Sequence, residues 1–143
     1  MQKFLLDTNV FNEKNLLYFF KKEVEKKRLS LYINPVIFLE LGFIHHVRGT
    51  WGLFEKLIKE FDIEVLEIDE EDAKLAIFAA YKYKDTPEGA SAHFRDCLIG
   101  ATAEKNFAIL ITKNARDFQH LPQELIKEPS QIMKTQKKSL HNG

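Results

Sequence analysis

The chain has 143 residues, 45% apolar and 29% charged, which suits one globular domain burying roughly two thirds of its unfolded surface rather than a chain disordered throughout. Lys plus Arg and Asp plus Glu are both 21, so no whole-molecule field draws it to nucleic acid, and any phosphate-binding surface has to be local. The lone cysteine, Cys97, excludes an internal disulfide and a cysteine-based zinc site, while no run approaches the ~18 apolar residues of a membrane span.

Lys3 is followed by Phe4-Leu-Leu6, a continuous apolar run ending at Asp7. It is too short for a secretory signal and reads as a strand buried on both faces, with a carboxylate at its C-terminal end. Residues 12–28 mix Leu16, Leu17, Phe19, Phe20 and Val24 with lysines, an amphipathic helix with a basic outer face. A strand at 31–33 leads to Asn34-Pro35, a capping residue followed by the residue pre-set for a first helical position, which opens a helix to about Arg48. A helix at 51–61, a strand at 63–68 and a helix at 70–84 capped by Asp69 follow. Asp85-Thr-Pro-Glu-Gly89 is a loop, residues 91–105 a buried helix, and residues 107–111 a second apolar strand ending at Thr112. Beyond Leu121-Pro122 the pattern decays. This alternation predicts a three-layer α/β/α domain over 1–130 with a short, mainly parallel sheet, and a flexible tail over 131–143. The expectation is a soluble, cytoplasmic protein.

Three carboxylates stand out. Glu40 shares a helical face with Val36, Ile37, Phe43, Ile44 and Val47, so it either reaches solvent at the edge of an apolar stripe or needs a compensating partner. Asp96 lies among Ala92, Ile99, Gly100 and Ala103, or else its helix starts late and Asp96 sits in the first turn, favoured by the helix dipole. Asp7 sits where ligand sites occur in parallel sheets, outside the C-terminal end of a strand. Thr112 marks a matching strand end, and just after it come Asn114 and Asp117, each of which also suits a turn. Carboxylates gathered in one place repel unless protons or cations neutralise them. An all-oxygen set selects a hard ion, Mg²⁺ or Mn²⁺, which acidifies a bound water and stabilises charge on a phosphoryl oxygen.

Phe4-Leu-Leu-Asp-Thr-Asn-Val-Phe11 resembles the opening of PIN domains, especially VapC-type toxins. Glu40 in Val36-Ile-Phe-Leu-Glu-Leu41, Asp96 with Ile99-Gly-Ala-Thr-Ala103, and Ile109-Leu-Ile-Thr-Lys-Asn-Ala-Arg-Asp-Phe118 are similar to the other three motifs, in order, over about Lys3 to Leu121. The resemblance implies a Mg²⁺- or Mn²⁺-dependent endoribonuclease, usually a homodimer and often inhibited by a small antitoxin. Asp7, Glu40 and Asp96 would then hold the metal, with Asn114 or Asp117 as a fourth position, and Thr8, Asn9 and Thr112 would orient the carboxylates. Asn114 is neutral where many relatives carry an acid, and the Asp85 to Ala92 stretch is insertion-like. A catalytically retired binding module and a structure-specific DNA nuclease are the rival readings.

His93, Arg95, Lys113 and Arg116 surround these motifs as candidates for contact with RNA phosphates, or as solvated charges. His45 and His46 are adjacent, about 100° apart on a helix, and cannot form an i, i+4 metal pair. Cys97 in its apolar setting reads as an inert core thiol. Trp51, Tyr81 and Tyr83 read as packing residues rather than base-stacking ones. The glycines form no phosphate-binding loop.

Overall fold

A computed structural model describes residues 1–134. Among them five parallel strands form one sheet in the order β3-β2-β1-β4-β5. The strands are β1 (Gln2–Leu6), β2 (Leu29–Ile33), β3 (Glu64–Val65), β4 (Ile109–Ile111) and β5 (Ile126–Lys127). Helices α1 (Lys14–Glu25), α2 (Pro35–Val47), α3 (Trp51–Glu60), α4 (Glu70–Tyr81) and α5 (Phe94–Lys105) connect them. Progress from β1 to β3 runs one way across the sheet, and β4 then returns to the other side of β1. With the right-handed crossovers that parallel strands require, the connecting helices fall on opposite faces and make three layers.

The central strands carry apolar side chains on both faces because both are covered. Phe4, Leu5, Leu6, Leu31, Ile33, Leu110 and Ile111 are buried, and Phe20, Phe54 and Phe118 are the largest fully enclosed side chains. Leu6 pairs with Ile111 in register, and the Asp7 N–H donates to the Ile111 carbonyl at 3.0 Å. The chain reversal therefore lies between β1 and β4, and Asp7 and Thr112 emerge side by side from it.

Asn34 caps α2 as its sequence suggests. Its Oδ1 accepts from the Ile37 N–H at 3.0 Å, and its Nδ2 donates across the core to Thr102 Oγ1 of α5 at 3.1 Å. Asp69 caps α4 with a reciprocal bond from Asp72. Asp72 is itself buried and ion-paired to Lys105 at 2.6 Å, joining α4 to α5.

Element ends differ from the sequence expectation for identifiable reasons. α1 and α3 stop before the expected limits and α5 ends at Lys105 as expected; just past these ends Lys27, Asp62 and Phe107 turn into the left-handed region, at φ 58°, 50° and 53°. In each case the next residue's N–H reaches back five residues, as Arg28 to Glu23, Ile63 to Ile58 and Ala108 to Ala103, all at 2.9 Å. This closing motif usually carries glycine, as α2 does with Gly49 at φ 69°, and without glycine it leaves no sequence signal. Phe107 accordingly belongs to the helix terminus, not to a strand, and β4 starts at Ile109. The strand expected over 63–68 pairs only at Glu64 and Val65, because it is an edge held by β2 alone. The buried helix expected from Ser91 starts at Phe94, preceded by a tighter turn over Ala90–His93. Strand β5 was not foreseen. Of the tail expected from residue 131, residues 135–143 lie outside the described residues, and 129–134 are helical with Ile132 buried against the core.

Phe107 is 86% exposed and adopts a conformation costing a non-glycine residue about 1–2 kcal/mol. Phe107→Gly should therefore raise unfolding stability by about 1 kcal/mol in urea denaturation.

Candidate active site

Asp7 is 1% exposed, and its carboxylate is held on every side. Oδ1 accepts from the Thr8 N–H at 2.8 Å, and Oδ2 accepts from the Thr112 hydroxyl at 2.8 Å and from Asn9 Nδ2 at 3.4 Å. The first bond exists because the chain folds into a short 3-10 turn, Thr8–Val10, with Asp7 as its cap. The second exists because β4 ends level with β1. Asn9 also donates to Thr112 at 3.3 Å and accepts from the Lys113 N–H at 3.1 Å, tying the two strand ends together.

Glu40 sits mid-way along α2 and accepts from the Thr8 hydroxyl at 2.6 Å. Of the two settings its sequence allows, the edge of the stripe is the observed one, with a charged partner in Arg95. Phe43 and Val47, which share its stripe, are 65% and 68% exposed, while Ile37, Leu41 and Gly42 form the buried face. Glu40 stands at the border between the two, with its carboxylate turned toward Asp7.

Asp96 lies in the first turn of α5, so the late helix start weighed from the sequence is the observed one. The same turn delivers Arg95, and its guanidinium binds all three carboxylates. Nη2 donates to Asp7 Oδ1 and to Glu40 Oε1, both at 2.8 Å; Nε donates to Glu40 Oε2 at 2.8 Å; Nη1 donates to Asp96 Oδ1 at 2.6 Å. Arg95, expected among residues facing RNA, instead occupies the centre of the acidic group. The physical reason is charge: three carboxylates brought together by the fold need a counter-cation, and Arg95 is the one within reach.

The electrostatic consequences differ by position. Hydrogen bonding to Arg95 holds the Glu40 carboxyl below its ordinary pKa against the opposing effect of burial. Burial dominates at Asp96 and raises its pKa despite Arg95, with the charges of Asp117 and Asp7 adding to the rise. Asp117, in the short turn Ala115–Phe118, thus acts on the cluster through its field. Asn114 is exposed, and its N–H donates to Thr112 Oγ1 at 3.1 Å.

The other candidates lie around this centre. His93 Nε2 pairs with Glu88 Oε1 at 2.8 Å, and its ring stacks on Tyr83 with centroids 3.8 Å apart. Lys113 Nζ is bound by Asn12 and Glu13 at 2.8 and 2.5 Å. Arg116 is exposed. Cys97 is buried and burial pushes its thiol up to about 11, as for an inert core thiol. Tyr81 is exposed rather than packed. His120, which sequence reasoning passed over, meets the Tyr83 hydroxyl at 3.3 Å through Nδ1 and has a buried, unpartnered Nε2.

Asp7, Glu40 and Asp96 are hard oxygen donors drawn from three separate elements onto one cation, which is the chemistry a Mg²⁺ or Mn²⁺ ion requires. In the observed arrangement no three acidic, histidine or cysteine side chains among the described residues stand together as a ligand set, and the three carboxylates each bond to the guanidinium. The donors fit a divalent ion in kind, and in this structure they pair with Arg95.

The PIN domain family matches the chain over residues 4–124. Among solved structures, a chain of the DNA-bound VapBC complex from Salmonella typhimurium superposes with a TM-score of 0.67 at 24% identity, covering 90% of this chain and 99% of that one. VapBC2 from Rickettsia felis, bound to a promoter fragment, gives 0.64 at 15% identity over 89% and 98%. A toxin–antitoxin complex from Klebsiella pneumoniae gives 0.62 at 19% over 87% and 96%. At these identities the likeness is one of fold. No curated protein matches the sequence significantly.

The opposite pKa directions at Glu40 and Asp96 give opposite stability profiles. A lowered carboxyl contributes stability that is present above its ordinary pKa and lost as pH falls through the folded value; a raised one imposes a cost at neutral pH that disappears on protonation. Glu40→Gln should lower the melting temperature at pH 7, and Asp96→Asn should raise it. Both differences should shrink as pH falls through the carboxylate range in thermal melts.

Proposed function

Because the chain belongs to the PIN domain family, we propose that it is a divalent-metal-dependent endoribonuclease, the toxin of a type II toxin–antitoxin pair, with Asp7, Glu40, Asp96 and Asp117 as its metal-binding set. The observation that carries this reading is the convergence of Asp7, Glu40 and Asp96 on one cation at the C-terminal edge of β1 and β4. That edge is where an open parallel sheet places its ligands. PIN domains are generally nucleases.

A divalent ion bound here supplies acidity to a coordinated water and charge stabilisation to a phosphoryl oxygen. The chain's own residues do the rest. Thr112 and the Thr8 N–H fix the Asp7 carboxylate, and the Thr8 hydroxyl fixes Glu40, so neither acid has to reorganise when an ion arrives. Asp96, whose pKa burial raises against the pull of Arg95, would complete the set from the first turn of α5. Between the two candidates for the fourth position, Asp117 is favoured, because it carries a charge that bears on Asp96 whereas the Asn114 side chain is neutral. Arg116 and Lys113, in the segment that follows β4, would serve as phosphate contacts.

The toxin assignment draws on the VapBC neighbours and on surface chemistry. Leu39, Phe43 and Val47 of α2 and Ile77, Phe78 and Tyr81 of α4 are exposed, more apolar side chain than a solitary soluble domain usually displays. An antitoxin and a second copy of the chain, giving a homodimer, are the partners this surface suits. No described helix is long and apolar enough to cross a membrane, in keeping with action on cytoplasmic RNA.

One observation favours a rival. A guanidinium that has replaced the ion permanently would leave a retired binding module. Cleavage assays on matched RNA and DNA with Mn²⁺ or Mg²⁺, alongside Mn²⁺ calorimetry, separate the readings. RNA cleavage should require the metal and fall by about a hundredfold or more in Asp7→Asn, with Thr112→Ala weakening metal binding by about 10–100-fold. Preference for DNA, or no Asp7-dependent metal uptake, would sink the proposal.

A further inference from the structure

Arg95 and a divalent ion draw on the same oxygens. Four of the six carboxylate oxygens of Asp7, Glu40 and Asp96 accept from Arg95 at 2.6 to 2.8 Å. Glu40 gives it both oxygens, and one guanidinium nitrogen is shared between Asp7 and Glu40. A hard ion needs such oxygens at about 2.0–2.1 Å, in its own octahedral arrangement. A dication and a guanidinium side by side among three carboxylates would repel at short range.

We propose that Arg95 is an internal competitor for the metal, so that the site exists in two exclusive states, closed by its own guanidinium or open to a divalent ion. This rests on the metal-dependent reading given above. Two structural facts make the exchange feasible without unfolding. Arg95 projects from the first turn of α5, and its side chain is 37% exposed, so it can rotate outward without leaving a cavity in the core. Two of the three acids it releases stay in position, because Asp7 keeps Thr8, Asn9 and Thr112 and Glu40 keeps Thr8 as partners. The closed state therefore lowers apparent metal affinity by the fraction of molecules that are open. The ion concentration then sets how much of the protein is competent.

Three measurements decide it. In calorimetric titrations with Mn²⁺, Arg95→Gln should bind about tenfold tighter than wild type or better, as expected when no more than about a tenth of the wild-type molecules are open. Without metal, Arg95→Gln should melt lower than wild type, and saturating Mn²⁺ should raise its melting temperature by a larger interval. On the unmodified chain, the Arg95 Nε–H nuclear magnetic resonance signal should shift and lose its protection from solvent exchange as Mg²⁺ is added, a test independent of whether the variant folds. Equal or weaker Mn²⁺ affinity in Arg95→Gln, or an Arg95 signal untouched at Mg²⁺ saturation, overturns the competitor role while leaving the nuclease reading intact. Absence of Asp7-dependent binding in both proteins overturns both.

Discussion

The fold brings negative charges together at one point, and much of the molecule is organised around making that tolerable. Parallel pairing of β1 with β4 fixes Asp7 beside Thr112, and the capped start of α2 brings Glu40 over the same edge. The late start of α5 adds Asp96. Each placement is stable by itself; the sum is not, since carboxylates gathered without a counter-charge repel one another. The guanidinium of Arg95 resolves the conflict, and the hydroxyls of Thr8 and Thr112 share the remaining lone pairs. Dense hydrogen bonding of this kind separates an anionic site that persists from one that takes up protons or disperses.

Strong local chemistry made some of this legible from residues alone. A continuous apolar run that stops at a carboxylate marks a buried strand and its end, so Asp7 and Thr112 were both located. Asn34-Pro35 and Asp69 announced α2 and α4. Glu40 stands out by a less secure route: a carboxylate beside an apolar stripe fits either an edge or a core, and Phe43 and Val47 face outward. An exposed apolar stripe and a buried one have the same periodicity, and only the packing of the opposite face distinguishes them. Asp96 left two readings open, and the first-turn reading describes where it sits.

What stayed hidden depends on contacts distant in the sequence or on backbone geometry. The direction of the Arg95 side chain is set by Asp7, 88 positions away, and Glu40, 55 positions away, and nothing in Phe94-Arg-Asp-Cys97 declares it. Helix ends at Lys27, Asp62 and Phe107 carry none of the glycine that ordinarily marks a left-handed terminus. Strand β5 is two residues long and owes its existence to pairing with β4 rather than to any pattern of its own.

The bond between Asn34 and Thr102 has a mechanical consequence. It is enclosed on all sides, and it fastens the start of the helix bearing Glu40 to the last turn of the helix bearing Asp96. Drawing those helices apart would strand two polar groups away from water, so the scaffold resists gaping like a hinge with its pin fitted. Changes of occupancy at the acidic edge are left to rotations of individual side chains, whose intrinsic pace is picoseconds to nanoseconds once a bond has broken, rather than to the slower collective motions of a domain.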